Sequence, residues 1–273
     1  MEEQTSTDPL PRTVPPGPLH GRVALVTGGS RGIGRATAMA LAADGATVAV
    51  NYRSGKDEAL QVVAEIEEAG GTAAAFGADV SDYEQARGLV DEVLAVHSEL
   101  HILVNNAGIS KDNLIYAMDP QDWLDVMKVN FGGVFNCTKA ILDHAMVTRD
   151  AVIVNVSSVM GERGWTGESN YAASKGAVDA FTRSAAIELA RFGIRVNAVL
   201  PGFAPTELVS ELSTGEVAKH LKRQIPMRDF ATVEQVASAI RFLAGPESEY
   251  MTGVLLNIDG GGMAGLGLGR LKW

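Results

Sequence analysis

Tyr171 and Lys175 stand four residues apart in Asn170-Tyr171-Ala172-Ala173-Ser174-Lys175-Gly176. Four residues is one helical turn, so in a helix the phenol and the ammonium share a face. A fixed cation beside a phenol favours the phenolate and draws its pKa down from about 10 toward neutrality. Such a tyrosine can exchange a proton with a substrate at neutral pH, which a free one does poorly. Chance and ordinary surface helices also produce this pair, so the spacing alone is weak. Ser158 strengthens it: it lies thirteen residues earlier and closes the strand-like run Val152-Ile153-Val154-Asn155-Val156-Ser157-Ser158.

A second chemical feature is Thr27-Gly28-Gly29-Ser30-Arg31-Gly32-Ile33-Gly34. Glycines let a backbone approach a pyrophosphate, and the amides of a following helix supply donors at its positive dipole end. The spacing differs from the commoner G-x-G-x-x-G, and a glycine turn can equally serve packing. Its place between a first strand and a first helix favours phosphate binding. Cofactor choice is then written at the end of the second strand, where a carboxylate suits the ribose of NAD and arginine suits the 2′-phosphate of NADP. The chain reads Val50-Asn51-Tyr52-Arg53-Ser54 there, without an acid, and Arg31 lies in the glycine loop. NADP(H) is the expected cofactor. Asp79-Val80 follows the third strand, where a carboxylate can accept from the adenine amine. Asn105-Asn106-Ala107-Gly108 follows the fourth and suits a loop that touches ligand, although Asn105 can equally serve only the sheet. Asn130 sits between apolar neighbours in a helical stretch, so its amide needs partners, either as a structural knot or as part of a water chain.

The elements that must position these residues alternate. Strand-like runs at Val23–Val26, Thr47–Val50, Thr72–Phe76, Ile102–Val104, Val152–Val156, Ile194–Leu200 and Val254–Ile258 are separated by helical stretches such as Ile33–Ala43, Glu58–Ala69 and Val233–Leu243. Strands apolar on both faces belong to a parallel sheet covered by helices on each side. Strict alternation predicts right-handed crossovers and one doubly wound α/β domain with seven parallel strands.

Composition narrows the function classes. The chain has 273 residues, 46% of them hydrophobic and 21% charged, which is ordinary for a soluble enzyme. Its net charge of −10 argues against nucleic acid and anionic membranes as partners, since both require a basic surface. Cys137 is the single cysteine, so no internal disulfide forms, and no Cys/His spacing suggests a metal. No apolar run reaches the ~18 residues of a membrane span. Residues 1–18 carry five prolines without a signal-peptide core and read as a disordered tail. Residues 19–262 form the domain, residues 263–273 a second tail, and the cytoplasm is the expected location.

Taken in order, T-G-G-S-R-G-I-G, N-N-A-G, Asn130, Ser158, Y-A-A-S-K and Pro201-Gly202 resemble the short-chain dehydrogenase/reductase family over about Gly21 to Gly262. Within it the chain is most similar to the bacterial 3-oxoacyl-(acyl carrier protein) reductase group. The resemblance implies a Rossmann-type domain and hydride transfer from nicotinamide to a carbonyl. Tyr171 would donate the proton, Ser158 would hold the substrate oxygen, Lys175 would bind the ribose and lower the Tyr171 pKa, and Asn130 would hold a relay water. It also implies a cofactor bed of Gly28, Ser30, Arg31, Gly32, Ile33, Gly34, Arg53, Asp79, Val80, Asn106, Ala107, Gly108, Tyr171, Lys175, Pro201, Gly202, Ala204 and Thr206.

The reaction expected is NADPH-dependent reduction of a 3-oxoacyl thioester on acyl carrier protein or coenzyme A. Other readings are a same-family reductase of another ketone, sugar or polyketide intermediate, and a regulator that binds NADP without catalysis. The intact Ser158, Tyr171, Lys175 and Asn130 set argues against the regulator. Leu208, Val209, Leu212, Val217 and Leu221 could roof an acyl chain or merely pack against the body. An acidic carrier needs a local positive rim, for which Arg149, Arg191 and Arg195 are the candidates by chain position. The helix from Tyr171 to Phe192, apolar around much of its circumference, must be covered on more than one side. Family members cover it with neighbouring subunits, which implies a homotetramer.

Overall fold

The structure is a computed structural model that describes residues 17–206 and 214–265. Its seven strands are β1 (Val23–Val26), β2 (Thr47–Tyr52), β3 (Thr72–Gly77), β4 (Ile102–Asn105), β5 (Ala151–Val156), β6 (Ile194–Pro201) and β7 (Leu255–Ile258). All pair in parallel, in the order β3-β2-β1-β4-β5-β6-β7. Each expected strand is present, shifted by two residues at most. β1, β4 and β5 are buried along their whole length, as their unbroken apolar runs require of strands covered on both faces.

Side-chain alternation splits each strand between two cores. Ala24 and Val26 of β1 face one layer, Val23 and Leu25 the other. The first layer receives Ala38 and Leu41 from α1 (Gly32–Ala43), Val62 and Ile66 from α2 (Lys56–Glu68), and Val236 and Ile240 from α8 (Val233–Ala244). The second receives Leu89 and Val93 from α3 (Tyr83–His97), Cys137 and Ile141 from α5 (Gly133–Thr148), and Ala185 and Leu189 from α6 (Ser169–Leu189). Cys137 is fully buried, and burial pushes its thiol up to about 12, so it packs as a small apolar side chain. The two remaining helices, α4 (Pro120–Met127) and α7 (Gly215–Gln224), lie outside these layers.

Helix starts follow local chemistry. Asp82 accepts from the Gln85 amide at 3.0 Å, Asp119 from Gln121 at 2.7 Å with Pro120 at the first helical position, and Thr232 forms a reciprocal capping box with Gln235. α1 has no side-chain cap: its N-cap is Arg31, and its first turn opens onto the end of β1. Between α4 and α5 the chain makes one π turn, Lys128–Gly132, where the sequence suggested plain helix. The turn carries the fully buried Asn130.

The sheet order is what builds the site. The chain runs outward from β1 to β3, then returns to lay β4 against the other edge of β1. A crevice opens where the winding reverses, beyond the carboxyl ends of β1 and β4, and ligands of doubly wound sheets bind in that crevice.

Candidate active site

A cleft of about 690 Å³ occupies that crevice. Asn106 closes its floor. The Asn106 side-chain amide donates to the carbonyls of Thr27 (2.9 Å) and Gly28 (3.0 Å), and its backbone amide donates to Thr27 Oγ1 at 2.9 Å. The glycine loop is held from the other side by Asn51, whose Oδ1 accepts from the Gly28 amide at 3.3 Å. The Asn51 amide nitrogen donates to the carbonyls of Phe76 and Ala78, both at 3.2 Å. This role for Asn51 was missed; the available signal was a lone amide inside an otherwise apolar strand.

Gly28 and Gly32 have φ of +60° and +53°, a region that L side chains rarely adopt, and both line the cleft. Ser30, Arg31 and Ile33 line the same end. Gly34 does not. A Cβ there would collide with the Gly28 carbonyl oxygen, so Gly34 serves the close approach of α1 to the loop. Arg53 follows β2, and its charge acts on Asp79 after β3, with both side chains in the cleft. Burial alone would raise the Asp79 carboxyl, but hydrogen bonds from Ser81 and the charges of Arg53 and Lys128 hold it below the usual carboxylate value. Val80, Ala107 and Gly108 complete this wall, while Pro201, Gly202, Ala204 and Thr206, after β6, form the opposite one. Thr206 crosses to the glycine loop, within 3.4 Å of where a Gly32 Cβ would stand. The resulting trough has glycine backbone, uncapped helix amides and two guanidiniums at one end, and it fits a dinucleotide phosphate.

At the other end lie Ser158, Tyr171 and Lys175. Ser158 ends β5 and caps a short 3₁₀ turn, its Oγ accepting from the Met160 amide at 3.2 Å. The Tyr171 hydroxyl lies beside Ser158, which favours its ionised form. Lys175, one turn along α6, is 4% exposed and donates to the Val156 carbonyl at 2.8 Å, with Nζ 5.5 Å from the centre of the Tyr171 ring. Burial lowers the Lys175 ammonium to about 8, against the pull of Asp179.

The expectation that Lys175 lowers the Tyr171 pKa is overturned here. Burial, then the Glu168 carboxylate, raise the phenol above its ordinary value, with Asp112 adding to them and Ser158 opposing. The ammonium is turned to the Val156 carbonyl instead, and the hydroxyl looks into an apolar and acidic setting. The phenol is therefore held protonated at neutral pH. Glu168 and Asp112 also line this end, and neither was given a role from the sequence.

Asn130 is not among the lining residues. Its Oδ1 accepts from the Ile109 amide at 2.8 Å, and its Nδ2 donates to the Ile109 carbonyl (3.0 Å) and to Ser174 Oγ (3.1 Å). These bonds tie the loop after β4 to the turn of α6 between Tyr171 and Lys175. Asn105 is a sheet residue, bonded to Asn155 Oδ1 at 2.9 Å and to Thr138.

The basic residues considered for a carrier rim are misplaced. Arg149 ends α5 and donates to the Arg191 carbonyl at 2.7 Å, Arg191 stacks on Phe192, and Arg195 near the start of β6 binds main-chain oxygens of Leu243, Gly245 and Met251. All three sit at the amino ends of the strands. β5 has six residues, which at about 3.3 Å each puts roughly 20 Å between Arg149 and Ser158. Leu208, Val209 and Leu212 lie outside the described residues. Of the other proposed roof residues, Leu221 is buried in α7 and Val217 is 51% exposed.

A parallel sheet with this winding, carrying a serine, tyrosine and lysine at its carboxyl edge, defines a Rossmann-type oxidoreductase. The family model described as Enoyl-(Acyl carrier protein) reductase matches residues 28–262, and the chain belongs to the short-chain dehydrogenase/reductase family. Among its relatives, the 3-oxoacyl-[acyl-carrier-protein] reductase FabG of Staphylococcus aureus is 42% identical over 238 residues, 87% of this chain and 96% of that one. The 3-oxoacyl-[acyl-carrier-protein] reductase of Synechocystis is 44% identical over 244 residues, 89% and 97% of the two chains. A gluconate 5-dehydrogenase from Burkholderia cenocepacia, solved in complex with NADP and tartrate, superposes with a TM-score of 0.87 at 34% identity, covering 91% of this chain and 97% of that one. The protein is an oxidoreductase of this family, whose members use a nicotinamide cofactor. No helix among the described residues is long and apolar enough to cross a membrane.

Proposed function

We propose that the protein reduces a 3-oxoacyl thioester to the 3-hydroxyacyl thioester with NADPH. The observation that carries the reading is the hydroxyl pair of Ser158 and Tyr171, with Lys175 behind it, at the opposite end of one cleft from Arg31 and Arg53. Arg31 and Arg53 would hold the 2′-phosphate, Asp79 the adenine amine, the glycine loop the pyrophosphate, and Lys175 the nicotinamide ribose. Reduced nicotinamide supplies the hydride. The substrate oxygen accepts from Ser158 and Tyr171, which polarises the carbonyl and fixes its carbon for attack. As that oxygen becomes an alkoxide, Tyr171 gives it the phenolic proton, and solvent returns a proton to Tyr171. Asn130 would support the proton return through a water, beyond its observed bonds.

The relatives named 3-oxoacyl-[acyl-carrier-protein] reductase support a thioester substrate and acyl carrier protein as partner. The neighbour solved with NADP and tartrate supports NADP and motivates a second reading, a dehydrogenase of a sugar acid. Exposed apolar side chains on α5 and α6 (Phe135 46%, Val147 81%, Ile187 82%) support assembly as a homotetramer. A cytoplasmic location accords with this chemistry. The test is NADPH oxidation with acetoacetyl thioesters, on coenzyme A and on carrier protein, against gluconate oxidation with NADP⁺. Turnover of gluconate without turnover of either thioester would reverse the assignment.

A further inference from the structure

Glu168 stands at the N-cap of α6, three residues before Tyr171. It makes no side-chain bond to an amide of the helix. Its side chain lines the cleft beside Tyr171, Ser158 and Asp112. Two contacts hold this arrangement: Asn170 Nδ2 donates to the Lys111 carbonyl at 2.8 Å, and the Asn113 amide donates to the Gly167 carbonyl, also at 2.8 Å. The loop carrying Asp112 is thereby fixed against the start of α6.

Among the described residues, no cation forms an ion pair with Glu168. Lys111 is held by Asp122 at 2.7 Å and Asp125 at 2.8 Å, Arg163 donates to the carbonyls of Met263 and Gly265, and Lys175 donates to Val156. Asp112 accepts from Ser110. Among the described residues, Glu168 shares this end of the cleft with Asp112 from the loop after β4, Ser158 from the end of β5, and Tyr171 and Lys175 from its own helix.

We propose that Glu168 sets the charge selectivity of the substrate end, admitting neutral 3-oxo esters and thioesters and excluding 3-oxo acids, whose carboxylate would lie close to its own. The inference rests on the 3-oxoacyl reading. Burial, with Asp112 adding to it, pushes the Glu168 carboxyl up to about 7. Below that pH the group is neutral and the exclusion relaxes; above it the group is charged and the exclusion strengthens.

The test is calorimetric titration of the enzyme in saturating NADP⁺ with ethyl acetoacetate and with acetoacetate, which is anionic throughout, at pH 5.5 and 8.5. In the native protein the affinity ratio of ester to acid should rise by roughly ten-fold or more between the two pH values, as expected for two like charges a few ångströms apart. In Glu168→Gln the ratio should change with pH far less than in the native protein, by no more than the loss of the Lys175 charge near 8 contributes. A native ratio that is the same at both pH values overturns the proposal, as does a Glu168→Gln variant that keeps the native pH dependence, or an ester that does not bind. The native comparison stands by itself should the variant fail to fold. Turnover of acetoacetyl thioester is scored separately: its absence with the discrimination intact would remove the thioester reading and leave the role of Glu168 in place.

Discussion

Replacing Gly34 by alanine tests the interlock between the glycine loop and the loop after β4. An added Cβ would stand 2.5 Å from Asn106 Nδ2 and 3.0 Å from the Gly28 carbonyl carbon, where ordinary contact begins at 3.4 Å. Asn106 cannot yield freely, because the same nitrogen donates to Thr27 and Gly28 at 2.9 and 3.0 Å. Overpacking of this kind costs about 2 kcal/mol, and two weakened hydrogen bonds add about 1 kcal/mol each. Alanine returns about 1 kcal/mol of helix propensity. The net loss is about 3 kcal/mol, which for a domain of this size lowers Tm by roughly 6–12 °C. Gly88→Ala, in the middle of α3, is the matched control: nothing lies within 4 Å of its Cβ, so it should raise Tm by roughly 2–4 °C. Thermal melts followed by circular dichroism read both signs, and NADPH titration by fluorescence should show weaker binding only in Gly34→Ala. A Gly34→Ala protein equal to native in Tm and in NADPH affinity would refute the reasoning.

Two further outcomes are expected. Tyr171→Phe removes the proton donor and should lower kcat by roughly 10²–10⁴-fold with NADPH affinity nearly unchanged, so native turnover in this variant would discard the mechanism. Arg53→Asp should weaken NADPH by roughly ten- to hundred-fold and NADH far less, since a charge-assisted bond is worth about 1.5–3 kcal/mol; steady-state KM values for the two cofactors decide it, and an unchanged ratio moves the phosphate site away from Arg53.

The sequence by itself determined the strands, because each is a short apolar run that only burial on both faces can satisfy. It also determined the pairing of Tyr171 with Lys175, because one helical turn is a local distance. Likewise, the glycine loop could be assigned from its place between a strand and a helix. What depended on contacts between distant segments was decided by the tertiary structure. The sheet order places Asn106 against Thr27, 79 residues away, and no local pattern encodes that contact. Whether a basic residue sits at the amino or the carboxyl edge of the sheet decides whether it can meet a substrate, and Arg149 sits at the wrong one. The Tyr171 hydroxyl supplies the sharpest case. Helical spacing suggested a cation that lowers its pKa, but protonation follows desolvation and the carboxylates that folding brings near it. Glu168 and Asp112 come from two loops that only the fold sets face to face.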